Sequence, residues 1–269
     1  MALKLPVHER FIEQAKEYVR QDHRLTGLLA GGSMIHGAMD EYSDLDLIIV
    51  YNCAFRNEIM EQRLRIAEGL GNLLSAFTGE HVGEPRLLIC LYGPVPLHVD
   101  LKFVQVEELK IRIENPLILW ERGSDITTIL SKATPTFPFL DPQWIEDRFW
   151  VWVHYGATKL GRGELFELID HLTFIRNAVL GPLVLIRNGH SPRGVRKLEK
   201  YASKELEELK GTIPFHSFES CYHALKNTIK MYQRLRTASE IVPKMEAERV
   251  SIEFLESIYS DNSSSNLFN

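Results

Sequence analysis

Hydrophobic and polar positions change their period near the middle of this chain. In VHERFIEQAKEYVRQ, Phe11, Ile12, Ala15 and Val19 recur at helical spacing with a polar opposite face. LTGLLA reads as a short buried strand, GGSMIHGA as a turn entering a brief helix, and LDLIIVY as a second strand. From about Arg56 to Phe77 the spacing predicts a long amphipathic helix with Ile59, Leu64, Ile66, Leu70 and Leu73 on its buried side. PRLLICLYG and PLHVDLKFVQV predict two more strands, and Gly93-Pro94-Val95-Pro96 between them predicts a hairpin. Together these elements predict a sheet with helices packed on it.

ATPTFPFLDPQ then places three prolines between Ala133 and Gln143 and reads as a linker. Beyond it the pattern is helical in WIEDRFWVWVHYGATKL, GELFELIDHLTFIRNAVLGPLVLIRNG, RGVRKLEKYASKELEELK, HSFESCYHALKNTIKMYQRLR and EAERVSIEFLESIYS. The second of these is apolar on most sides, which predicts the central helix of a bundle. The expected fold class is α+β, with a mixed-sheet domain over 1–137 and an all-helical domain over 138–260. The boundary falls near Pro138, and 261–269 form a polar, flexible tail.

A chain of 269 residues with 45% apolar residues fills one large core or two ordinary ones. A formal charge of -5 argues against a general nucleic-acid binder, which carries a basic face or stripe. Cys53, Cys90 and Cys221 lie far apart without CxxC or Cys/His spacing, so neither a disulfide framework nor a structural zinc site is expected, and a cytoplasmic location is. The opening MALKLPVHERFIEQ lacks a long apolar core of the signal-peptide kind. No uninterrupted apolar run approaches the ~18 residues of a membrane span, so no membrane association is expected.

Candidate chemistry gathers in LLAGGSMIHGAMDEYSDLDLIIVY. Gly31 and Gly32 allow close backbone approach to a ligand and positive φ values. Ser33, at the start of a brief helix, offers its hydroxyl and nearby N–H groups to an anion such as phosphate. After ten intervening residues stand Asp44 and Asp46, which the two-residue strand period points to one side while Leu45 and Leu47 point to the other. Carboxylates that close repel each other unless something positive lies between them. SDLD also has the composition of a plain turn. A carboxylate pair beside a phosphate-binding turn suits a Mg²⁺–nucleotide, because Mg²⁺ takes one or two protein carboxylates plus phosphate oxygens. In PLHVDLKFV, His98, Asp100 and Lys102 share one strand face, opposite Leu97, Val99, Leu101 and Phe103. An Asp there is costly if buried without a partner. Beside Asp44 and Asp46 it completes a three-carboxylate cluster able to hold two metal ions; alone it reads as a hydrogen-bonded strand carboxylate.

GGS, ten residues, Asp-Leu-Asp on a strand and a later strand Asp resemble the nucleotidyltransferase superfamily of the DNA polymerase β type. With a helical second domain the chain is most similar to the aminoglycoside and lincosamide antibiotic nucleotidyltransferases. The resemblance covers roughly 25–105, and the helical half is matched only in kind. It implies that Asp44 and Asp46 bind Mg²⁺, that Gly31, Gly32 and Ser33 hold the triphosphate of ATP or another NTP, and that Asp100 is a further metal ligand or the general base. Two ions would then clamp the attacking hydroxyl and the leaving pyrophosphate for in-line displacement, in a cleft between the domains. The implied activity is transfer of a nucleoside monophosphate, AMP from MgATP first, to a hydroxyl of a small molecule such as an aminoglycoside-like antibiotic. Transfer to a tRNA end or a protein hydroxyl is the alternative acceptor class, disfavoured for nucleic acid by the acidic balance. A nucleotide-binding regulator without catalysis is disfavoured by the third carboxylate.

In the helical half, Glu164, Glu167 and His171 fall on one stripe with Asp170 beside it. They read either as an acidic cleft for an amine-rich acceptor or as a capping carboxylate with ordinary interhelical contacts. Lys159, Arg162, Arg193, Arg196, Lys197 and Lys200 read as a solvated basic face, a few of them able to reach triphosphate. Phe149, Trp150, Trp152 and Tyr155 read as core before they read as a base-stacking platform. His36 alone carries little.

Overall fold

The computed structural model describes residues 6–237 and 241–265, and the chain divides into two units, 1–138 and 139–269. The first unit opens with helix α1 (Pro6–Gln21) and strand β1 (Leu25–Ala30), followed by the one-turn helix α2 (Gly32–Ile35) and β2 (Leu45–Tyr51). Helix α3 (Arg56–Leu70), β3 (Leu73–Gly79), β4 (Glu84–Tyr92), β5 (Leu97–Gln105), β6 (Leu117–Glu121) and α4 (Asp125–Lys132) complete it. The strands form one six-stranded sheet in the order β3-β4-β5-β2-β1-β6. Only β2 and β5 run parallel; the other neighbours are antiparallel, so the sheet is mixed and the fold is α+β.

Two elements differ from the spacing argument. The amphipathic helix stops at Leu70, because Gly71 and Asn72 are poor helix formers, and LLSAFTG leaves it as edge strand β3 paired with β4. Leu73 therefore belongs to the sheet, and Leu64 and Phe77 are exposed. LILWE, unassigned from the sequence, is β6, paired with β1.

One face of the sheet carries Leu45, Leu47 and Ile49 of β2 and Val99, Leu101 and Phe103 of β5, packed under Phe11, Ala15 and Val19 of α1 and Ile59, Ile66 and Leu70 of α3. This burial fixes the register. A one-residue slip of β2 would turn those three aliphatics outward, at about 1.5–3 kcal/mol each, and drive Asp46 inward. The other face is covered only in part, where Leu29, Val50 and Val104 pack against Leu109 and against Ile126 and Ile129 of α4. Asp46 and Asp100 stand on that second face.

The second unit is helical among its described residues. It comprises α5 (Pro142–Gly161), α6 (Leu165–Ile175), a π-helical turn at Arg176–Leu180, α7 (Gly181–Arg187), the short α8 (Leu198–Tyr201) and α9 (Leu206–Lys210), α10 (Phe218–Leu235) and α11 (Met245–Ser265). By length and composition Leu165–Arg187 would cross a membrane, yet Leu168, Leu172, Ile175, Val179, Leu180, Val184 and Leu185 fill this unit's core. Phe149 and Trp150 are core, with Phe149 stacked on Tyr232 at 3.8 Å between ring centroids. The buried carboxylate of Glu146 accepts hydrogen bonds from the Tyr232 hydroxyl (2.6 Å), Trp150 Nε1 (3.0 Å) and the Lys244 N–H (2.9 Å), which satisfies a charge that would otherwise oppose folding. RGVRKLEKYASKELEELK is not one helix. It winds through α8 and α9 so that Leu198, Ala202 and Leu209 all reach the core. At the C-terminal end α11 runs on to Ser265, and 266–269, the rest of the expected tail, lie outside the described residues.

Candidate active site

Strand alternation puts Asp46 and Asp100 on the open face of the sheet, and the parallel pairing of β2 with β5 makes them register partners. Neighbouring strands lie about 4.8 Å apart, so the two carboxylates project side by side. Asp44 precedes β2 by one residue and is half-buried. The turn expected of SDLD forms upstream instead. The Asp40 carboxylate accepts from the Tyr42 N–H and the Ser43 hydroxyl, both at 3.0 Å, and His8 Nε2 lies 2.8 Å from the Ser43 carbonyl. The loop is thus held by Asp40, Ser43 and His8, which leaves Asp44 out of the turn chemistry. None of those three was among the residues assigned to the site. The Asp-x-x-Ser spacing of Asp40 and Ser43 was the available signal, whereas His8 comes from a distant helix.

Gly31 and Gly32 connect the phosphate-type turn to this pair. The Gly31 N–H donates to the Asp46 carbonyl at 2.7 Å. Gly32 has φ +55, and a Cβ there would meet Asp46 Oδ2 at 1.8 Å. Both the left-handed backbone and the space taken by the Asp46 side chain require glycine. Gly32→Ala is therefore expected to displace Asp46, lower stability by about 1–2 kcal/mol and reduce turnover at least ~10²-fold. A thermal melt beside a turnover assay checks this, and wild-type turnover in a folded Gly32→Ala protein would remove the contact from the site. Ser33 is half-buried in α2, a single turn, so its neighbouring N–H groups rather than a long helix dipole are what it offers an anion.

His98 Nε2 lies 2.9 Å from Asp100 Oδ1. Lys102, on the same strand face, is drawn away from Asp100 to Glu84 at 2.7 Å. Glu84 also binds Arg86 through two hydrogen bonds of 2.7 Å. Arg86 first, and Lys102 after it, hold the Glu84 carboxyl down from its ordinary 4.5 to about 2. A carboxylate depressed in the folded state contributes stability that is present above its unfolded value and lost as pH falls through the folded one. Stability is expected to decline between about pH 4.5 and pH 2, with about 1–2 kcal/mol of the decline, after solvent screening, absent in Glu84→Gln. Urea denaturation across that range measures it, and an unchanged pH slope in the variant would contradict the assignment.

Among the described residues no three His, Cys, Asp or Glu side chains are gathered as a ready metal site. Asp46 and Asp100 lie side by side while Asp44 sits in the loop ahead of them, which fits a hard divalent ion that draws its remaining oxygens from phosphate. In the second unit, Lys159 binds Glu164 at 2.7 Å and Glu167 at 3.0 Å, and the Tyr155 hydroxyl donates to Glu167. Glu164 makes no side-chain cap, and the stripe carries its own counter-charge. His171 is 2.9 Å from the Trp152 carbonyl, and burial lowers its pKa. Arg196 and Lys197 are exposed, and His36 faces Glu114 at 3.6 Å.

Residues 12–83 match the family described as Nucleotidyltransferase domain, a span that includes the Gly31–Ser33 turn, Asp44 and Asp46 and ends before Asp100. Among solved structures the chain is similar to an aminoglycoside 6-adenyltransferase from Bacillus subtilis, with 17% identity, a TM-score of 0.41, and coverage of 93% of this chain and 98% of that one. It is similar to a nucleotidyltransferase-like protein from Exiguobacterium sibiricum 255-15 at 12% identity and TM-score 0.40, covering 91% and 78%. A STING-associated CdnE c-di-GMP synthase from Capnocytophaga granulosa aligns at 14% identity and TM-score 0.32, covering 98% and 85%. No curated protein sequence matches the chain. With the family match lying across the glycine–serine turn and the Asp44–Asp46 pair, the first unit of this chain carries a nucleotidyltransferase domain, and nucleotidyl transfer is its enzyme class.

Proposed function

We propose that the protein transfers a nucleoside monophosphate, AMP from MgATP first, to a hydroxyl of a small molecule, releasing pyrophosphate. The observation that carries this reading is the in-register Asp46–Asp100 pair, with the Asp46 side chain lying against Gly32. Asp46 and Asp44 would hold Mg²⁺, with Asp100 as a further ligand or as the base. When bound, the ion supplies Lewis-acid stabilisation of the negative charge on the reacting phosphates. The N–H groups and hydroxyl of the turn around Ser33 orient the triphosphate. The acceptor oxygen bonds to the α-phosphorus as the bond to pyrophosphate breaks, and Asp100 takes the hydroxyl proton. His98, hydrogen-bonded to Asp100, orients that carboxylate.

The test is pyrophosphate release from each of the four NTPs with Mg²⁺, run over aminoglycosides, lincosamides and simple sugars. Acceptor-dependent release from ATP above the other NTPs is the expected result. Release that needs no acceptor, or none with any pair, would contradict it.

A further inference from the structure

The first unit contains a cavity that this reaction scheme leaves without a role. Its volume is about 550 Å³, within the ~300–1,000 Å³ of small-molecule sites. It opens on the same sheet face as Asp46 and Asp100. Ile48 and Lys102, which line it, stand two residues beyond those carboxylates on the same strands and are register partners themselves. Two strand residues span about 6.6 Å, so the cavity begins within one small-molecule length of the pair. Gly31 forms another part of its wall.

The lining is mostly apolar, through Ile35, Ile48, Val104, Leu109, Ile111 and Ile113. Its four cations are already engaged. Arg86 binds Glu84 and Glu108, Lys102 binds Glu84, and Lys110 binds Glu107. Arg112 donates to the carbonyls of Leu109, Leu130 and Ala133. The two lining carboxylates are engaged as well, Glu108 with Arg86 and Glu114 facing His36. A polycationic ligand would lose hydration here against a wall with four cations and no surplus of acid. A nucleobase would find no aromatic ring among the described lining residues to stack on.

We propose that this cavity receives the apolar body of the acceptor, and that the acceptor is a neutral amphipathic alcohol rather than a polycation. The inference rests on the nucleotidyl-transfer reading above. The ligand's hydroxyl lies at the Asp46–Asp100 end and its apolar part against Ile111 and Ile113.

The experiment is calorimetric titration of the full chain with octyl β-D-glucoside below its micelle concentration, with kanamycin, and with MgATP. It compares wild type with Ile113→Trp, which fills the cavity, and Ile111→Asp, which charges its rim. Ile111 is 93% exposed, so its replacement does not threaten folding. Wild type is expected to bind the glucoside in preference to kanamycin. Each variant should weaken the glucoside at least ~10-fold, about 1.4 kcal/mol, and leave MgATP within a factor of about two. Tighter binding of kanamycin, no glucoside binding to wild type, or glucoside affinity unchanged in both variants would overturn the proposal. So would MgATP affinity falling in step with the glucoside, which would make the nucleotide the occupant. Loss of MgATP binding in wild type, with variant-sensitive glucoside binding intact, would instead remove the nucleotidyl-transfer reading and leave the cavity a site for neutral ligands.

Discussion

Asp46→Asn is expected to reduce transfer by at least ~10³-fold while the protein stays folded. Lewis-acid stabilisation of phosphoryl charge is worth several kcal/mol, and each 1.36 kcal/mol is tenfold in rate. The amide keeps the size of the side chain over Gly32, so packing is preserved. It also removes one of two like charges from adjacent strand positions. Stability should therefore stay within about 0.5 kcal/mol of wild type or rise. Turnover and thermal melting of the same preparation check this. Retained turnover with a large loss of stability would make Asp46 a structural residue.

Asp100→Asn has a second large expected effect, and it separates two roles. As a base alone, Asp100 leaves MgATP affinity unchanged when replaced, and the single-turnover rate falls ~10²–10⁴-fold at every Mg²⁺ concentration. As a metal ligand, its loss moves the Mg²⁺ dependence upward, and excess Mg²⁺ restores part of the rate. The geometry leads us to expect both. Asp100 is the register partner of Asp46, which suits a shared ion, and its neighbour Lys102 is held by Glu84 rather than competing for the carboxylate. His98→Ala serves as the control, because it removes only the 2.9 Å hydrogen bond to Asp100 and should cost much less than Asp100→Asn. A wild-type rate and metal dependence in Asp100→Asn would return the residue to an ordinary strand carboxylate.

Much of this site is legible in the sequence because it depends on local periods. Alternation of two along LDLIIVY and LHVDLKFVQ places Asp46 and Asp100 opposite the buried aliphatics, and burial along both strands agrees. The Gly93–Pro96 turn likewise joins β4 and β5, with Tyr92 paired to Leu97. Strand β3 was hidden because Leu73 and Phe77 continue the apolar spacing of α3, so only the Gly71-Asn72 pair marked the break. The winding of 193–210 was hidden for a related reason. Leu198, Ala202 and Leu209 fit a helical face, yet Lys197 enters α8 with φ 58 and Ala202 leaves it at φ -121 and ψ 41, so the segment closes into two short helices. The register that aligns Asp46 with Asp100 joins strands more than fifty residues apart, and no local pattern encodes it. The capture of Glu164 and Glu167 by Lys159, and of Lys102 by Glu84, also depends on side chains meeting across elements. Charge counts alone made both groups look freer than they are.

In the proposed reaction the α-phosphoryl group with its nucleoside leaves ATP for a small-molecule hydroxyl. Incubation with Mg²⁺, an acceptor and ATP labelled at the α-phosphorus tests this most directly. The expected result is label on the acceptor and one pyrophosphate released per label transferred, with both lost in Asp46→Asn. Label remaining on ADP with inorganic phosphate released, or transfer that persists in Asp46→Asn, would contradict it.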